Sequence, residues 1–272
     1  MAPKYTIFGG FGFVGSELTR QLKASGASVS QVGRDSWPAE GSDLGQVIFC
    51  IGMTADFRKR LLETFEIQFL RLHEALTNYR YESFLYLSSA RVYDSATSTN
   101  EDAPLLVRPS SVDHVYNISK LAGESLCLAF DNPLIRVARL SNVYGVQDRS
   151  NLFMTAVVRD AVEKGEVTIG QSPNSSKDYI AVENAAATLI AISKGGQSRL
   201  YNVACGTNFT HQQIADALQN AGFTVYFKPN GQIVTFPQID ISRAACEFAL
   251  PSTNPATHLP DILKQLTTQT KV

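Results

Sequence analysis

The sequence predicts an α/β fold with a doubly wound parallel sheet, helices on both faces of that sheet and a smaller C-terminal lobe. Up to Leu140, short apolar and β-branched runs alternate with amphipathic helical stretches. This alternation predicts parallel strands joined by crossover helices. The chain has 272 residues, of which 44% are hydrophobic, so it can bury a full core and still form a second lobe.

The predicted elements follow one another regularly in the first half of the chain. Strands are expected at residues 5–8, 29–32, 47–51, 84–87 and 134–140, and helices at residues 14–24, 57–78 and 114–130. The link between Arg34 and the third strand is short and is predicted to lack a helix. From Asn142 onward, turn-rich segments interrupt the pattern. We therefore expect one domain over residues 1–145 and, over residues 146–272, a smaller lobe interwoven with elements that return to the sheet.

The longest predicted helix, residues 57–78, has an apolar and a polar face. The apolar residues at helical spacing are Phe57, Leu61, Phe65, Phe69 and Leu72, and the polar residues are Arg58, Lys59, Glu63 and Glu66. The apolar spacing predicts a face that packs into the core.

Charge and composition exclude several kinds of partner. The 24 lysines and arginines almost balance the 25 aspartates and glutamates, so no strong field attracts a polyanion, and nucleic acid is not an expected partner. No leader-like apolar stretch precedes the first strand, and no segment reaches the roughly 18 apolar residues of a membrane span. We expect a cytoplasmic protein without a membrane partner.

The cysteines and histidines show no metal-binding spacing. They are Cys50, Cys127, Cys205, Cys246, His73, His114, His211 and His258. Because they form neither a C-x-x-C pair nor a histidine pair four residues apart, we expect free thiols and no metal.

A glycine-rich loop joins the first strand to the first helix. It reads GGFGFVG over residues 9–15. Glycines permit a tight turn, close approach of a pyrophosphate to the backbone and close packing of helix on strand, while the helix N-terminus attracts phosphates. The order of strand, loop and helix predicts a Rossmann-type dinucleotide site; a glycine-rich turn without a ligand is the alternative. The expected cofactor-binding residues of the loop are Gly9, Gly12, Phe13, Val14 and Gly15.

The end of the second strand bears on the choice of dinucleotide. Such strands commonly end in an acid that binds the adenosine ribose, whereas a nearby arginine accommodates a 2′-phosphate. Gly33 stands where the acid is expected and Arg34 follows it, which favours NADP over NAD. Asp35 keeps NAD open, and Arg34 also suits an exposed loop.

Tyr116 and Lys120 are four residues apart on a predicted helix and therefore share one face. An ammonium beside a phenol lowers the pKa of the phenol and suits it to general acid–base catalysis; a surface pair is the alternative. Ser88 and Ser89 end a strand at the sheet edge where parallel α/β sheets bind ligands, so that one hydroxyl can hold a substrate oxygen. A turn or a helix cap is the alternative for both serines.

Five blocks together resemble the extended short-chain dehydrogenase/reductase family, which comprises NAD(P)-dependent nucleotide-sugar epimerases, dehydratases and reductases. The blocks are GGFGFVG at 9–15, SSARVY at 88–93, YNISK at 116–120, RLSNVYG at 139–145, and KDYIAVENAA at 177–186 followed by YNVACG at 201–206. They stand in the family's order, which makes the resemblance highly specific.

The resemblance implies roles for individual residues. Tyr116 is the general acid or base, Lys120 positions it and contacts the nicotinamide ribose, and Ser89 completes the catalytic set. Ser88 is assigned to the cofactor. The residues assigned to the substrate are Ser89, Arg91, Asn142, Lys177 and Arg149. Lys177 stands where many relatives have an arginine, and Arg149 also suits an exposed loop.

Two departures from the family pattern narrow the expected function. Ala90 and Arg91 replace the acidic pair of the 4,6-dehydratases, which argues against dehydration, and residues 49–52 replace the family's His-x-Ala-Ala. The absence of the acidic pair, together with Arg34 and the compact length, favours NADPH-dependent reduction of a keto-deoxysugar nucleotide. NAD-dependent epimerisation is the alternative, and a non-catalytic dinucleotide-binding sensor is a third. The resemblance also implies a homodimer in which helices 57–78 and 114–130 form a four-helix bundle.

Overall fold

The computed structural model describes residues 2–52, 57–146, 152–252 and 254–269. The strands are β1 (Lys4–Phe8), β2 (Ser28–Val32), β3 (Gln46–Phe49), β4 (Ser83–Ser89), β5 (Ile135–Leu140), β6 (Asn142–Tyr144), β7 (Glu166–Ile169), β8 (Ser176–Ala181), β9 (Leu200–Val203), β10 (Asn208–Thr210) and β11 (Thr224–Phe227). The helices are α1 (Phe13–Ala24), α2 (Leu61–Phe65), α3 (Arg71–Thr77), α4 (Val112–Ala129), α5 (Phe153–Lys164), α6 (Val182–Gly195), α7 (His211–Asn220), α8 (Ser242–Glu247) and α9 (Pro255–Gln269). A π-helical segment (Glu66–Leu70) joins α2 to α3, and a 3₁₀ turn (Ala90–Tyr93) follows β4.

The main sheet is parallel and has six strands in the order β2-β1-β3-β4-β5-β9. The chain leaves β2 and crosses to the other side of β1 to form β3, so the strand order reverses beside β1. Ligands of such sheets bind in the crevice at the carboxyl ends of the strands on either side of this reversal. The predicted Rossmann-type fold is confirmed, and residues 33–45 contain no helix, as predicted.

Alternate residues of the central strands point to two separate core clusters. Leu85 and Leu87 pack with Leu189 of α6 on one face of the sheet. Phe84 and Tyr86 pack with residues of α3 and α4 on the other face. Both faces of β4 are therefore covered, which explains its nearly continuous apolar sequence.

A third core cluster lies outside the main sheet. It joins α5, β7, α7 and α9, with contributions from Tyr144 and Tyr179. Strands β6, β8 and β10 form a three-stranded sheet, and β7 pairs with β11. Between these lobe segments, β9 returns to the main sheet and pairs with β5.

The prediction of one regular helix over residues 57–78 with a single core face was wrong. Phe57 is buried in a turn before α2, whereas Leu61 and Phe65 are each 37% exposed. Leu72 is buried as predicted, and the other buried residues of the helical segments are Thr64, Gln68, Ala75 and Leu76. The π-helical segment has wider turns than an α-helix, so the residues before it are rotated out of the register that a 3.6-residue period predicts.

Among the described residues, no helix has the length and apolar character that crossing a membrane requires. Within the same ranges, no group of three or more histidine, cysteine, aspartate or glutamate side chains is placed to share a metal ion.

Candidate active site

The glycine loop forms the N-terminal wall of a crevice beside β1. Gly9 has φ of +75°, a conformation that favours glycine, and a Cβ on Gly15 would clash with the carbonyl oxygen of Gly9. These two glycines therefore permit the turn and the close packing of α1. Gly12 is the N-cap of α1, no side chain caps the helix, and its first turn has no acid. The free N–H groups and the helix dipole fit the pyrophosphate of a dinucleotide.

A cavity of about 370 Å³ opens from this loop along the carboxyl ends of the strands. The sequence-predicted residues that line it are Gly9, Gly12, Phe13, Val14, Gly15, Ser88, Ser89, Arg91, Tyr116, Lys120, Asn142 and Lys177. Arg34 is exposed in the turn after β2 and is not among the lining residues. Arg149 lies outside the described residues.

Tyr116 and Ser89 meet at the mouth of this crevice. Tyr116 is buried on α4, and its ring packs against Phe57 with 5.4 Å between centroids. Ser89 caps the 3₁₀ turn, where its Oγ accepts a hydrogen bond from the Arg91 N–H at 3.2 Å, and its hydroxyl lies close enough to Tyr116 to affect the pKa of the phenol. Burial raises the pKa of Tyr116, while Ser89 and the Arg91 charge act in the opposite direction. The phenol is thus protonated at neutral pH and suited to donate a proton.

Lys120 lies one turn further along α4, also buried. Its Nζ donates a hydrogen bond to the carbonyl oxygen of Leu87 at 2.9 Å, and burial lowers its pKa to about 8. A Cβ on Gly52 would lie 3.2 Å from this Nζ. Glycine at this position therefore leaves room for the lysine, a requirement that the sequence pattern did not reveal.

Replacing Lys120 by methionine is expected to raise the free energy of unfolding of the ligand-free protein by about 3 kcal/mol at pH 7. The folded state lowers the pKa of Lys120 from 10.5 to about 8. The cost of the buried ammonium is therefore fully present below pH 8, declines as the pH rises and vanishes near pH 10.5. Urea denaturation at several pH values measures the difference between the two proteins, which should shrink in this interval.

The exposed Lys23 of α1 provides a matched control, because Lys23→Met removes a solvated charge and should leave the stability nearly unchanged. A gap for Lys120→Met that widened from pH 8 to pH 10 would contradict the explanation.

A buried ionic network around Glu124 adjoins the site, because it includes Ser88 of the cavity wall. Glu124 accepts two hydrogen bonds from Nε of Arg139 and one from its Nη2, at 2.7–3.2 Å, and a further one from Ser88 Oγ at 2.5 Å. Arg139 Nη1 also donates to the hydroxyl of Tyr93 at 2.8 Å. The hydroxyl of Ser88 is therefore bound to Glu124, although Ser88 still lines the cavity. Neither Glu124 nor Arg139 carries a sequence signal that indicates this role.

Asn142 and Lys177 line the side of the cavity formed by β6 and β8. Asn142 Nδ2 donates to the carbonyl oxygen of Asp178 at 2.8 Å. Burial and the nearby Arg91 lower the pKa of Lys177. The carboxylate of Asp178 accepts from Ser141 Oγ and from the N–H groups of three residues after β9, which are Cys205, Gly206 and Thr207. Asp178 thereby ties the lobe to the main sheet at the cavity wall.

The ring of Phe11 lies beside Gly33 at the end of β2, a contact that the sequence pattern did not indicate. This side chain is 68% exposed, and a Cβ on Gly33 would lie 3.0 Å from its ring. The Phe11 ring thus occupies space beside Gly33, the position where dinucleotide-binding strands commonly carry an acid. Phe236 and Ile239, from a segment without a periodic pattern, close the opposite part of the cavity.

A parallel sheet with a reversed strand order, a glycine loop at its switch point and a Tyr-x-x-x-Lys helix beside it define a dinucleotide-binding Rossmann enzyme. A sequence profile of the NAD dependent epimerase/dehydratase family matches residues 60–204, more than half of the chain. The protein belongs to this family, as the resemblance to the extended short-chain dehydrogenases/reductases predicted. No curated protein matches the sequence.

Solved structures share the fold along nearly the whole chain. RMD from Pseudomonas aeruginosa, complexed with NADPH, has a TM-score of 0.77 at 20% identity and covers 98% of this chain and 99% of its own. The NAD-dependent NDP-hexosamine 5,6-dehydratase TunA has 0.80 at 19%, with 97% of each chain covered. A UDP-glucuronic acid 4-epimerase from Bacillus cereus, with UDP-glucuronic acid and NAD, has 0.77 at 17%, covering 98% and 99%. The expected NADP or NAD agrees with the cofactors of these proteins.

Proposed function

We propose that this enzyme reduces a keto group of a nucleotide-activated deoxysugar with NADPH. The observation that carries the proposal is that Tyr116 and Ser89 line one cavity with the uncapped N-terminus of α1. This arrangement brings a proton donor to the place where a dinucleotide held by the glycine loop would present its nicotinamide. Residues 1–145 supply these groups, and residues 146–272 supply Lys177 and much of the substrate side.

Each catalytic side chain has a separate task in this reaction. A bound reduced nicotinamide supplies the hydride that the carbonyl carbon receives. The Tyr116 hydroxyl donates its proton to the carbonyl oxygen, so that the ketone becomes an alcohol. Ser89 holds this oxygen by a hydrogen bond, and Lys120 stabilises the phenolate that the proton transfer leaves behind.

Asn142 and Lys177 are assigned to the diphosphate of the substrate. Both line the cavity on adjacent strands, and Lys177 brings a partly buried positive charge. A lysine binds phosphate as a point charge and without the paired hydrogen bonds of an arginine. Arg149, a phosphate candidate of the sequence, is retained as a further proposed diphosphate contact.

Preference for NADPH rests on the end of β2. Gly33 offers no carboxylate to the adenosine ribose, and Arg34 is exposed beside it, free to face a 2′-phosphate. Arg34→Gln should therefore raise KM for NADPH more than KM for NADH.

Turnover assays separate reduction from epimerisation. The purified enzyme is incubated with NADPH and a panel of UDP-, GDP- and dTDP-linked keto-deoxysugars. Net oxidation of NADPH with formation of the alcohol supports reduction. Isomerised product without consumption of NADPH would replace the proposal by epimerisation, which uses the same residues. Binding of NADPH without turnover of any sugar would favour the non-catalytic sensor.

We also propose a homodimer that uses α4 and the segment of α2 and the π-helix beside it. Apolar side chains on this segment are exposed, namely Leu61, Leu62, Phe65 and Leu70. Light scattering during gel filtration should give twice the chain mass of 29.7 kDa. Leu62→Glu should shift the mass towards the monomer, because Leu62 is 89% exposed and its replacement does not disturb the core. A monomeric mass for the unmodified protein would contradict this arrangement.

A further inference from the structure

Arg91 presents a positive charge beside the proposed proton donor. It lies two residues after Ser89, and its guanidinium carbon is 5.3 Å from the centroid of the Phe57 ring. The same ring packs against Tyr116, and Arg91 is close enough to Tyr116 to influence its ionisation. The side chain therefore lines the cavity at the end where the reacting carbon would lie.

Among the described residues, Arg91 has no ion-pair partner. Its Nε is buried without a hydrogen-bond partner in the part of the chain that the structure describes. Another cation of the cavity, Lys177, is close enough to repel it. A buried donor on a cation carries a large desolvation penalty when it has no partner, so this position suits an anionic ligand.

The acid on the cavity wall does not supply that partner. Asp178 is the acidic residue among those that line the cavity within the described ranges. Its two oxygens already accept hydrogen bonds from Ser141 and from backbone N–H groups after β9. Three cations, Arg91, Lys120 and Lys177, line the cavity, and Arg91 keeps an unpaired buried donor that a substrate anion can satisfy.

Lys177 and Arg91 occupy different parts of the cavity. Lys177 stands on β8, next to β6 with Asn142, and is the proposed diphosphate contact. Arg91 follows Ser89 after β4, and its guanidinium shares the Phe57 ring with Tyr116 of α4. An anion bound by Arg91 would thus lie on the sugar ring near the reacting carbon. A carboxylate is an anionic group that sugars carry directly on a ring carbon, and its two oxygens match the paired donors of a guanidinium.

We propose that the sugar of the substrate carries a carboxylate, and that Arg91 binds this group beside Tyr116. The substrate class is then a nucleotide-linked acidic sugar, with any deoxygenation at a carbon other than the one bearing the carboxylate. This inference rests on the proposed nucleotide-sugar function and specifies its substrate.

Calorimetric titration with matched sugar nucleotides tests the assignment. Three pairs, linked to UDP, GDP or dTDP, each consist of a hexuronate and the corresponding neutral hexose. They are titrated into the Tyr116→Phe protein saturated with NADP⁺, so that turnover does not interfere. The hexuronate of at least one pair should bind about tenfold or more tightly than its neutral counterpart, the range expected for a hydrogen-bonded charge pair.

Three further substitutions locate the discriminating group. Arg91→Gln should bring the affinity ratio of that pair close to one, and Arg91→Lys should give an intermediate ratio because it keeps the charge but not the paired donors. Lys177→Gln, the matched control, should weaken both members and leave their ratio within about twofold, since both carry the diphosphate.

Equal or tighter binding of the neutral sugar in all three pairs would overturn the inference while leaving the proposed function in place. An equal loss of affinity for both members in Arg91→Gln would do the same, because it would assign Arg91 to the diphosphate. If NADPH binds but none of the six compounds does, the nucleotide-sugar function fails and the inference fails with it.

Discussion

Tyr116→Phe is expected to lower kcat by about two to four orders of magnitude, the range that general acid–base catalysis contributes. The substitution removes the hydroxyl next to Ser89 and keeps the ring that packs on Phe57. The fold and the affinity for NADPH should therefore change little. Single-turnover measurements of NADPH oxidation with the reducible sugar nucleotide compare the chemical steps of the two proteins.

Tyr5→Phe is a matched control for this experiment. Tyr5 is fully buried in β1 outside the cavity, and its hydroxyl has no hydrogen-bond partner. Its removal should leave kcat within about twofold, because the hydroxyl makes no specific contact. Unchanged turnover in Tyr116→Phe would require another proton donor and would favour a non-catalytic role for the tyrosine.

Glu124→Ala is expected to reduce the free energy of unfolding by about 3–5 kcal/mol, the effect of breaking a buried ion pair on one side. Glu124 and Arg139 are each 4% exposed, so the substitution leaves an arginine inside the core without its carboxylate. Ser88 loses its acceptor as well. Urea denaturation monitored by fluorescence and by circular dichroism measures the change.

Two comparisons show whether burial causes this effect. Arg20→Ala breaks the pair with Glu17 on α1, in which the Arg20 side chain is 63% exposed, and should change stability by less than about 1 kcal/mol. Replacing Glu124 and Arg139 together by methionine should recover part of the loss, because no unpaired charge remains. A small effect of Glu124→Ala, similar to that of Arg20→Ala, would contradict the role assigned to the network.

The parts of the site with local sequence signals were predictable. The glycine loop occupies one continuous segment, and Tyr116 and Lys120 share a helix face, so spacing alone placed them together. The order of strands and helices likewise predicted the sheet, because each strand has an apolar run of its own. These features depend on interactions between near neighbours in the sequence.

Other parts depend on contacts between distant segments. The Glu124 and Arg139 pair joins α4 to β5, and Phe236 reaches the cavity from a segment without periodic pattern. Nothing in the sequence around these residues indicates their partners. The exposure of Phe65 was mispredicted for another reason: a periodicity argument assumes a regular helix, and the π-helical segment breaks that regularity.

The position of β9 has a consequence for how the protein is made. Until residues 200–203 have left the ribosome, β5 is the outer strand of an incomplete sheet, with backbone N–H and C=O groups open to pairing with other chains. In the nascent polypeptide, the edge of β5 therefore remains unpaired until β9 has been synthesised. If residues 1–145 and 146–272 were expressed as separate fragments, β5 would lack β9. We expect the fragment with the open β5 edge to aggregate.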